Sequence, residues 1–299
     1  MSTQTLTPKT NNFLSLSWLI LLILALLWGS SFILMKKAVA VYSPIQVGSL
    51  RIFLAGLISW ILIFFQWKKI PFQILPLAAI GGIVGNLIPS WLFSIAGKNL
   101  DSSVSGILNA ATPLFTFTIG WIVFGRKGTL AKIIGILIGL AGCILLITVN
   151  ANGEFALNYY ALLPVIATLL YGFHYNFYKS YLNTAPPIPT AYLVMATAGI
   201  PAGIVLFSTN FIETTLHQSN APQALGYVGI LALFGSVIGT MLSNKLNQMA
   251  SPLMVSSVTY LLPIVSVGWG LLDGETLNVM QIVGMLVIVA GVFVVNKAK

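Results

Sequence analysis

Chemistry in this chain must come from a few polar side chains set in long apolar runs, and Arg51 is the first of them. It stands well inside the run Pro44 to Trp67. An arginine at the bilayer centre costs about 2.5 to 3.5 kcal/mol on insertion scales, so it must snorkel, pair or face water. No Asp or Glu occurs within any of the runs, which leaves backbone carbonyls, neutral polar groups or an anionic solute as its partners. Arg51 is therefore either a structural brace that snorkels outward or an electrostatic contact for a solute. His174 is the one histidine in a run, and its spacing puts it on one helical face with Tyr171 and Tyr178. That face suits an interhelical hydrogen bond, a solute contact or a proton relay. Lys36 lies one turn beyond Phe32 and two beyond Trp28, so it either snorkels with Lys37 or borders the mouth of a pathway. Asn86 and Ser90, Asn109 and Thr112, Thr240 and Asn244, and Thr259 and Tyr260 add amides and hydroxyls in four further runs. Singly, each serves helix packing as readily as binding. Together they predict a polar wall, with Trp28, Lys36, Arg51, Asn86, Asn109, Tyr171, His174, Asn244 and Tyr260 as the expected solute contacts.

The same inventory speaks against catalysis. There is no glycine-rich loop carrying lysine and serine, no histidine pair spaced for zinc and no serine–histidine–acid set, so no catalytic residue, cofactor or metal is expected. The single cysteine, Cys143, allows no intramolecular disulfide and reads as a small packing residue. Without an acid in a run, any proton coupling would fall to His174 or to an acid outside the runs.

The elements that must position these residues are membrane helices. The 299 residues are 58% hydrophobic and 6% charged, with a mean hydropathy of +0.97; a water-soluble chain needs about a quarter of its residues charged. Runs of about 20 residues, long enough to span the hydrocarbon, are bounded by charges, prolines and polar clusters. Ten fit: Leu14 to Ala40, Pro44 to Trp67, Ile74 to Ala96, Ser103 to Phe124, Leu130 to Val149, Leu157 to Tyr178, Pro189 to Phe207, Ala224 to Leu246, Leu253 to Leu272 and Val279 to Val295. The first is read as a span and not a removable leader, since no small-residue cleavage site comes after it. The longest loop, Ser208 to Gln223, shows no apolar face. Pro89, Pro113, Pro164, Pro201 and Pro263 lie within spans and predict local breaks or kinks.

Charge orients the spans. With both termini cytoplasmic, Lys9, Lys68, Lys69, Arg126, Lys127, Lys132, Lys179, Lys245, Lys297 and Lys299 lie inside, and only Lys36, Lys37 and Lys98 lie outside. All five acids, Asp101, Glu154, Glu213, Asp273 and Glu275, fall outside in the same arrangement. The net charge of +9 is thereby explained by topology and anionic lipid, and nucleic acid is not an expected partner.

Five spans precede the midpoint and five come after it. The expected organisation is a tail (1–13), a first five-helix repeat (14–149), a linker (150–156), a second five-helix repeat (157–295) and a short tail (296–299). Pro113 recurs as Pro263 and Gly85 as Gly235 at a separation of 150, while Gly135 and Gly142 recur as Gly284 and Gly291 at 149. An odd number of spans per repeat inverts the second half. In keeping with that, Gly125-Arg126-Lys127 between spans four and five is basic, and Asp273-Gly274-Glu275 between spans nine and ten is acidic.

Leu27-Trp28-Gly29-Ser30-Ser31-Phe32, Leu50-Arg51-Ile52-Phe53-Leu54-Ala55-Gly56, Thr112-Pro113-Leu114-Phe115 and the stretch Gly135 to Gly142, in this order and spacing, resemble the EamA-type branch of the drug/metabolite transporter superfamily. The resemblance implies ten helices in two inverted halves and export of amino acids, nucleobases and other metabolites. Where that family commonly has Gly-Glu after span four, this chain has Gly125-Arg126.

The expected protein is thus an all-α integral membrane carrier of the bacterial cytoplasmic membrane. It would move a small solute by alternating access, facilitatively or by secondary coupling, and a homodimer is left open. The competing class is a receptor with a ligand pocket in the bundle and no translocation. An intramembrane enzyme would need convergent acids, histidines or cysteines that the spans lack.

Overall fold

The computed structural model describes residues 10–149, 154–249 and 258–298. Fifteen α-helices run through them: α1 Thr10–Gly29, α2 Ser31–Ala38, α3 Pro44–Phe65, α4 Leu75–Gly82, α5 Ile88–Asn99, α6 Ser102–Asn109, α7 Thr112–Ile122, α8 Leu130–Thr148, α9 Leu162–Phe177, α10 Pro187–Phe207, α11 Phe211–His217, α12 Ala221–Ile230, α13 Gly239–Met249, α14 Val258–Leu272 and α15 Val279–Lys297. Val149 and Phe155 form an isolated antiparallel bridge, and the described residues contain no strand.

Among the described residues, seven helical stretches are long and apolar enough to cross a membrane: Leu16–Ala38, Pro44–Phe65, Phe72–Asn99, Leu130–Thr148, Pro187–Phe207, Ala221–Leu246 and Val279–Lys297, with Val258–Leu272 a shorter apolar helix. The start of the expected ninth span, Leu253, lies outside the described residues. Span four differs from expectation, because it is two helices and not one. The chain tightens at Ala110 and Ala111, whose amides bond three residues back to Ile107 and Leu108, and restarts at Thr112 with Pro113 in its first turn. Proline has no N–H and disfavours a helical residue before it, so the break falls where Thr112-Pro113 requires it. Pro201 and Pro263, by contrast, sit inside continuous helices. The long loop also holds more structure than expected: α11 forms within it, and Phe211 packs on Tyr42 with ring centroids 5.5 Å apart.

Two close helix pairs make the frame. α3 runs along α10 and α8 along α15, and each pair meets through glycine. A methyl group at Gly56 would stand 2.6 Å from the Gly199 Cα, and one at Gly142 would stand 2.8 Å from the Gly284 carbonyl oxygen. Small residues let backbones approach closely where hydrocarbon supplies no hydrophobic drive to association. The outward faces are apolar: Phe64, Phe65, Leu130 and Leu272 are 73–81% exposed. Such a belt suits lipid and would be an aggregation hazard in water.

Candidate functional site

A cavity lies between α1, α2, α3, α5, α6, α7, α9, α13 and α14, and broken helices supply much of its wall. Two segments of that wall wind with π-helical, i to i+5, bonding: Ile83–Leu87 between α4 and α5, and Leu231–Ile238 between α12 and α13. A third such segment, Tyr178–Leu182, extends α9 and meets the cavity only through Tyr178. π-Helical winding rotates the downstream helix and frees backbone groups from the α-helical ladder. The first segment lines the cavity with Gly85 and Asn86, the second with Gly235 and Ser236. The Trp28 indole N–H donates to the Gly235 carbonyl at 3.0 Å, satisfying an acceptor in the second segment. The α6–α7 break contributes Asn109 and Thr112, and the Thr112 hydroxyl donates to the Asn109 carbonyl at 2.7 Å.

Arg51 reaches into this cavity and does not snorkel outward. Its Nε donates to Ser236 Oγ at 3.0 Å, and Nη1 lies 3.7 Å from Met35 Sδ. It is the only arginine, lysine or acid lining the cavity among the described residues. Facing it are the rings of Phe32 and Phe93, edge to face at 5.5 Å, with Tyr171 stacked on Phe93 at 6.0 Å. His174 lies between Tyr175 and Tyr178, with centroids 6.1 and 6.5 Å away, and its Nδ1 is buried without a hydrogen-bond partner. The volume open to the centre of a water molecule is about 120 Å³. One water needs about 10 to 15 Å³ by that measure, so the space fits a small solute and not a peptide.

Trp28, Arg51, Asn86, Asn109, Tyr171, His174 and Asn244 from the expected contacts all line this one cavity. Lys36 and Tyr260 do not. The Tyr260 hydroxyl accepts a hydrogen bond from Asn296 at 2.8 Å, which turns it toward α15, and its neighbour Thr259 takes the lining position. The Lys36 ammonium is drawn away by carboxylates, 2.6 Å from Glu275 and 3.5 Å from Asp101.

That carboxylate contact is the centre of an ionic cluster at one end of the bundle. Glu275 comes directly after the tight turn at Gly274, whose φ is +86°, and its side chain is 3% exposed. One oxygen accepts from Lys36 and from the backbone N–H and hydroxyl of Ser102, both at 2.8 Å; the other accepts from the N–H and hydroxyl of Ser103, at 3.0 and 2.6 Å. The carboxylate thereby caps α6 at its N-terminus, where backbone donors are free. Burial alone would raise the Glu275 carboxyl, but the hydrogen bonds from Lys36 and the two serines outweigh it and hold it at about 2. Lys37 pairs with Asp273 alongside. The cluster joins the ends of α2, α6 and α14, three elements that wall the cavity.

The model of the EamA-like transporter family matches residues 16–148 and again residues 158–297. The chain belongs to the EamA-like transporter family. It is 30% identical over 285 residues to the "Uncharacterized inner membrane transporter YedA" of Escherichia coli K12, covering 92% of this chain and 89% of that protein. It is 24% identical to an "Uncharacterized transporter" of Archaeoglobus fulgidus, over 94% of this chain and 99% of that protein. It is 23% identical to the "Probable amino-acid metabolite efflux pump" of Salmonella typhimurium LT2, over 91% of this chain and 92% of that protein. One crystal structure overlays with a TM-score of 0.60 at 17% identity, covering 94% of this chain and 96% of that one, which establishes likeness of fold.

As an EamA-like transporter the chain is a multi-pass membrane protein. Sequence reasoning passed over Phe32, Met35, Phe93, Tyr175 and Ser236 as cavity residues. The four apolar or aromatic ones look like ordinary core in an apolar run. Ser236 could have been found, since it stands 150 residues after Asn86. Among the described residues no three of His, Cys, Asp and Glu come together to hold a metal.

Proposed function

We propose that this EamA-like protein is a carrier that moves a small metabolite, of amino-acid, nucleobase or similar size, by alternating access between two inverted five-helix repeats, in the export direction. The observation that carries the proposal is the cavity wall: the π segments at Gly85 and Gly235, repeat-related through those two glycines, face one polar space. Helix pairings support the symmetry. Advancing every run by five exchanges the α7–α9 contact with α14–α1 and the α5–α9 contact with the α2–α12 and α1–α13 contacts, and it maps the α3–α10 and α8–α15 pairs onto themselves. The tight turns at Gly125 and Gly274, both at positive φ, are likewise repeat-related. Two halves of like construction and opposite sense can trade conformations around a shared site, which channels and receptors do not require.

The charge asymmetry of the loops supports cytoplasmic termini, an orientation in which the Glu275 cluster faces outside. Export is favoured by the efflux activity in the Salmonella relative's name. The test is flux in proteoliposomes loaded with a mixture of amino acids, nucleobases and sugar phosphates. Transport of at least one class, saturable and lost when the cavity is blocked, is expected; no flux for any of them would overturn the carrier reading. Reporter fusions in successive loops test the ten spans and their orientation.

A further inference from the structure

Arg51 is a charge without a countercharge. A guanidinium carries five N–H donors and no acceptor; here one goes to Ser236 Oγ and another meets only the weakly accepting Met35 sulfur. None of the five acids is available to it. Asp101, Asp273 and Glu275 are bound in the ionic cluster, Glu213 lies on α11, and Glu154 is in the connection before α9. An ionised side chain in a low-dielectric site needs a partner of opposite sign, and removing one leaves a large penalty. The cavity offers that partner no place among its own residues.

We infer that Arg51 is the docking group for an anionic substrate, a monocarboxylate with a compact apolar body and no compensating amine. The carboxylate takes the guanidinium donors that Ser236 and Met35 leave over, in the two-pronged geometry arginine favours. The body packs on Phe32, Phe93 and Tyr171, which Met35 links to the guanidinium. A cationic substrate would meet Arg51 with no carboxylate to offset the repulsion. The amine of a zwitterion would find only neutral acceptors such as the Asn109 and Asn244 amide oxygens, with no carboxylate to offset its charge, and Asn109 Oδ1 already has the Thr112 hydroxyl donating to it at 3.5 Å. The inference names the substrate class for the carrier reading and rests on it for its purpose, but it concerns binding and is read without movement.

The experiment uses the purified full chain and four probes on one skeleton: 3-phenylpropanoate, 3-phenylpropanamide, phenethylamine and phenylalanine, measured by equilibrium binding. The expected order puts 3-phenylpropanoate first. In Arg51→Gln its affinity falls by at least about tenfold, the cost of one charge-assisted hydrogen bond, while the neutral amide falls by clearly less, so that the anion's advantage over the amide is lost and the remaining amide affinity reports an intact site. Arg51→Lys keeps a preference for the anion. The inference is overturned if phenethylamine, the amide or phenylalanine matches the anion in the unaltered protein, if Arg51→Gln retains anion preference, or if none of the four binds. Flux of another solute class in vesicles would still leave the carrier reading standing, so the two failures are distinguishable.

Discussion

Replacing Glu275 by glutamine should unlatch the end of the bundle where Lys36, Ser102 and Ser103 converge. The carboxyl is held at about 2 against an ordinary 4.5, and at about 1.4 kcal/mol per pH unit the difference corresponds to roughly 3 kcal/mol in favour of the charged, capped form. Glutamine keeps the shape but loses the charge, and its amide nitrogen meets donors where an acceptor is needed. If most of this is forfeited on opening, about 2 to 3 kcal/mol, the population open at that end rises about 30- to 150-fold. The assay is thiol accessibility. Thr240 lines the cavity, so Thr240→Cys in a Cys143→Ala background gives one reporter thiol. An impermeant reagent applied to each face of sealed vesicles should label it faster in the Glu275→Gln protein from the Glu275 face by about that factor. An unchanged rate, in a variant with unchanged thermal stability, would refute the reasoning that the Glu275 cluster holds that end of the bundle together.

Because the Glu275 carboxyl is depressed in the folded protein, its contribution is complete above about pH 4.5 and is lost as pH falls toward 2. Labelling of the same thiol, taken relative to a free thiol at each pH to remove the thiolate's own titration, should therefore be flat between pH 5 and 8, and a titration in that range abolished by Glu275→Gln would contradict the cluster as described. Gly85→Ala puts a methyl group into the His174 ring; the ring must move, at about 1 to 3 kcal/mol by thermal unfolding, and a stable variant with unaltered solute affinity would show the contact to be unimportant. Gly199→Val should pry α10 from α3, since the Gly56 Cα would lie within 2.7 Å of the first added carbon. A loss of about 1 to 3 kcal/mol is expected, and no loss would mean that the pair is looser than described. Trp28→Phe removes the indole donor from the Gly235 carbonyl, for about 1 kcal/mol in the same measurement.

Much of the molecule was legible because membranes simplify the code. Apolar runs of fixed length announced the helices, and the rarity of polar residues in them made each one conspicuous, so Arg51, Asn86, Asn109, Tyr171, His174 and Asn244 could be marked before their meeting in one cavity was seen. Lys36 was marked on helical spacing alone; its spacing does point along the wall, but Glu275 is 239 residues away and captures it, and no local pattern encodes that pairing. The break in span four was half visible, since Thr112-Pro113 fixes where a helix can restart but not that Ala110 and Ala111 tighten before it. The two π segments of the cavity wall were invisible. Their composition, Ile-Val-Gly-Asn-Leu and Leu-Ala-Leu-Phe-Gly-Ser-Val-Ile, is that of any membrane helix.

Those segments carry a consequence for how the gene can vary in length. An α-helix advances about 100° per residue, so one residue gained or lost within regular winding turns everything downstream by that amount. The stretch Leu231–Ile238 sits between α12 and the part of α13 that brings Thr240, Ser243 and Asn244 to the cavity. Deleting one residue there would let the helix heal into regular winding at little cost in folding, and because the wider π turns already absorb about one surplus residue, those three side chains would keep their place on the wall. A similar deletion in the turn around Ser208 and Thr209 would leave the cavity's facing unchanged. Tolerance to single-residue loss within the membrane should thus be highest in the two π segments of the wall and lowest in the regular α-helical stretches beside them, although the two kinds of stretch have the same apolar composition.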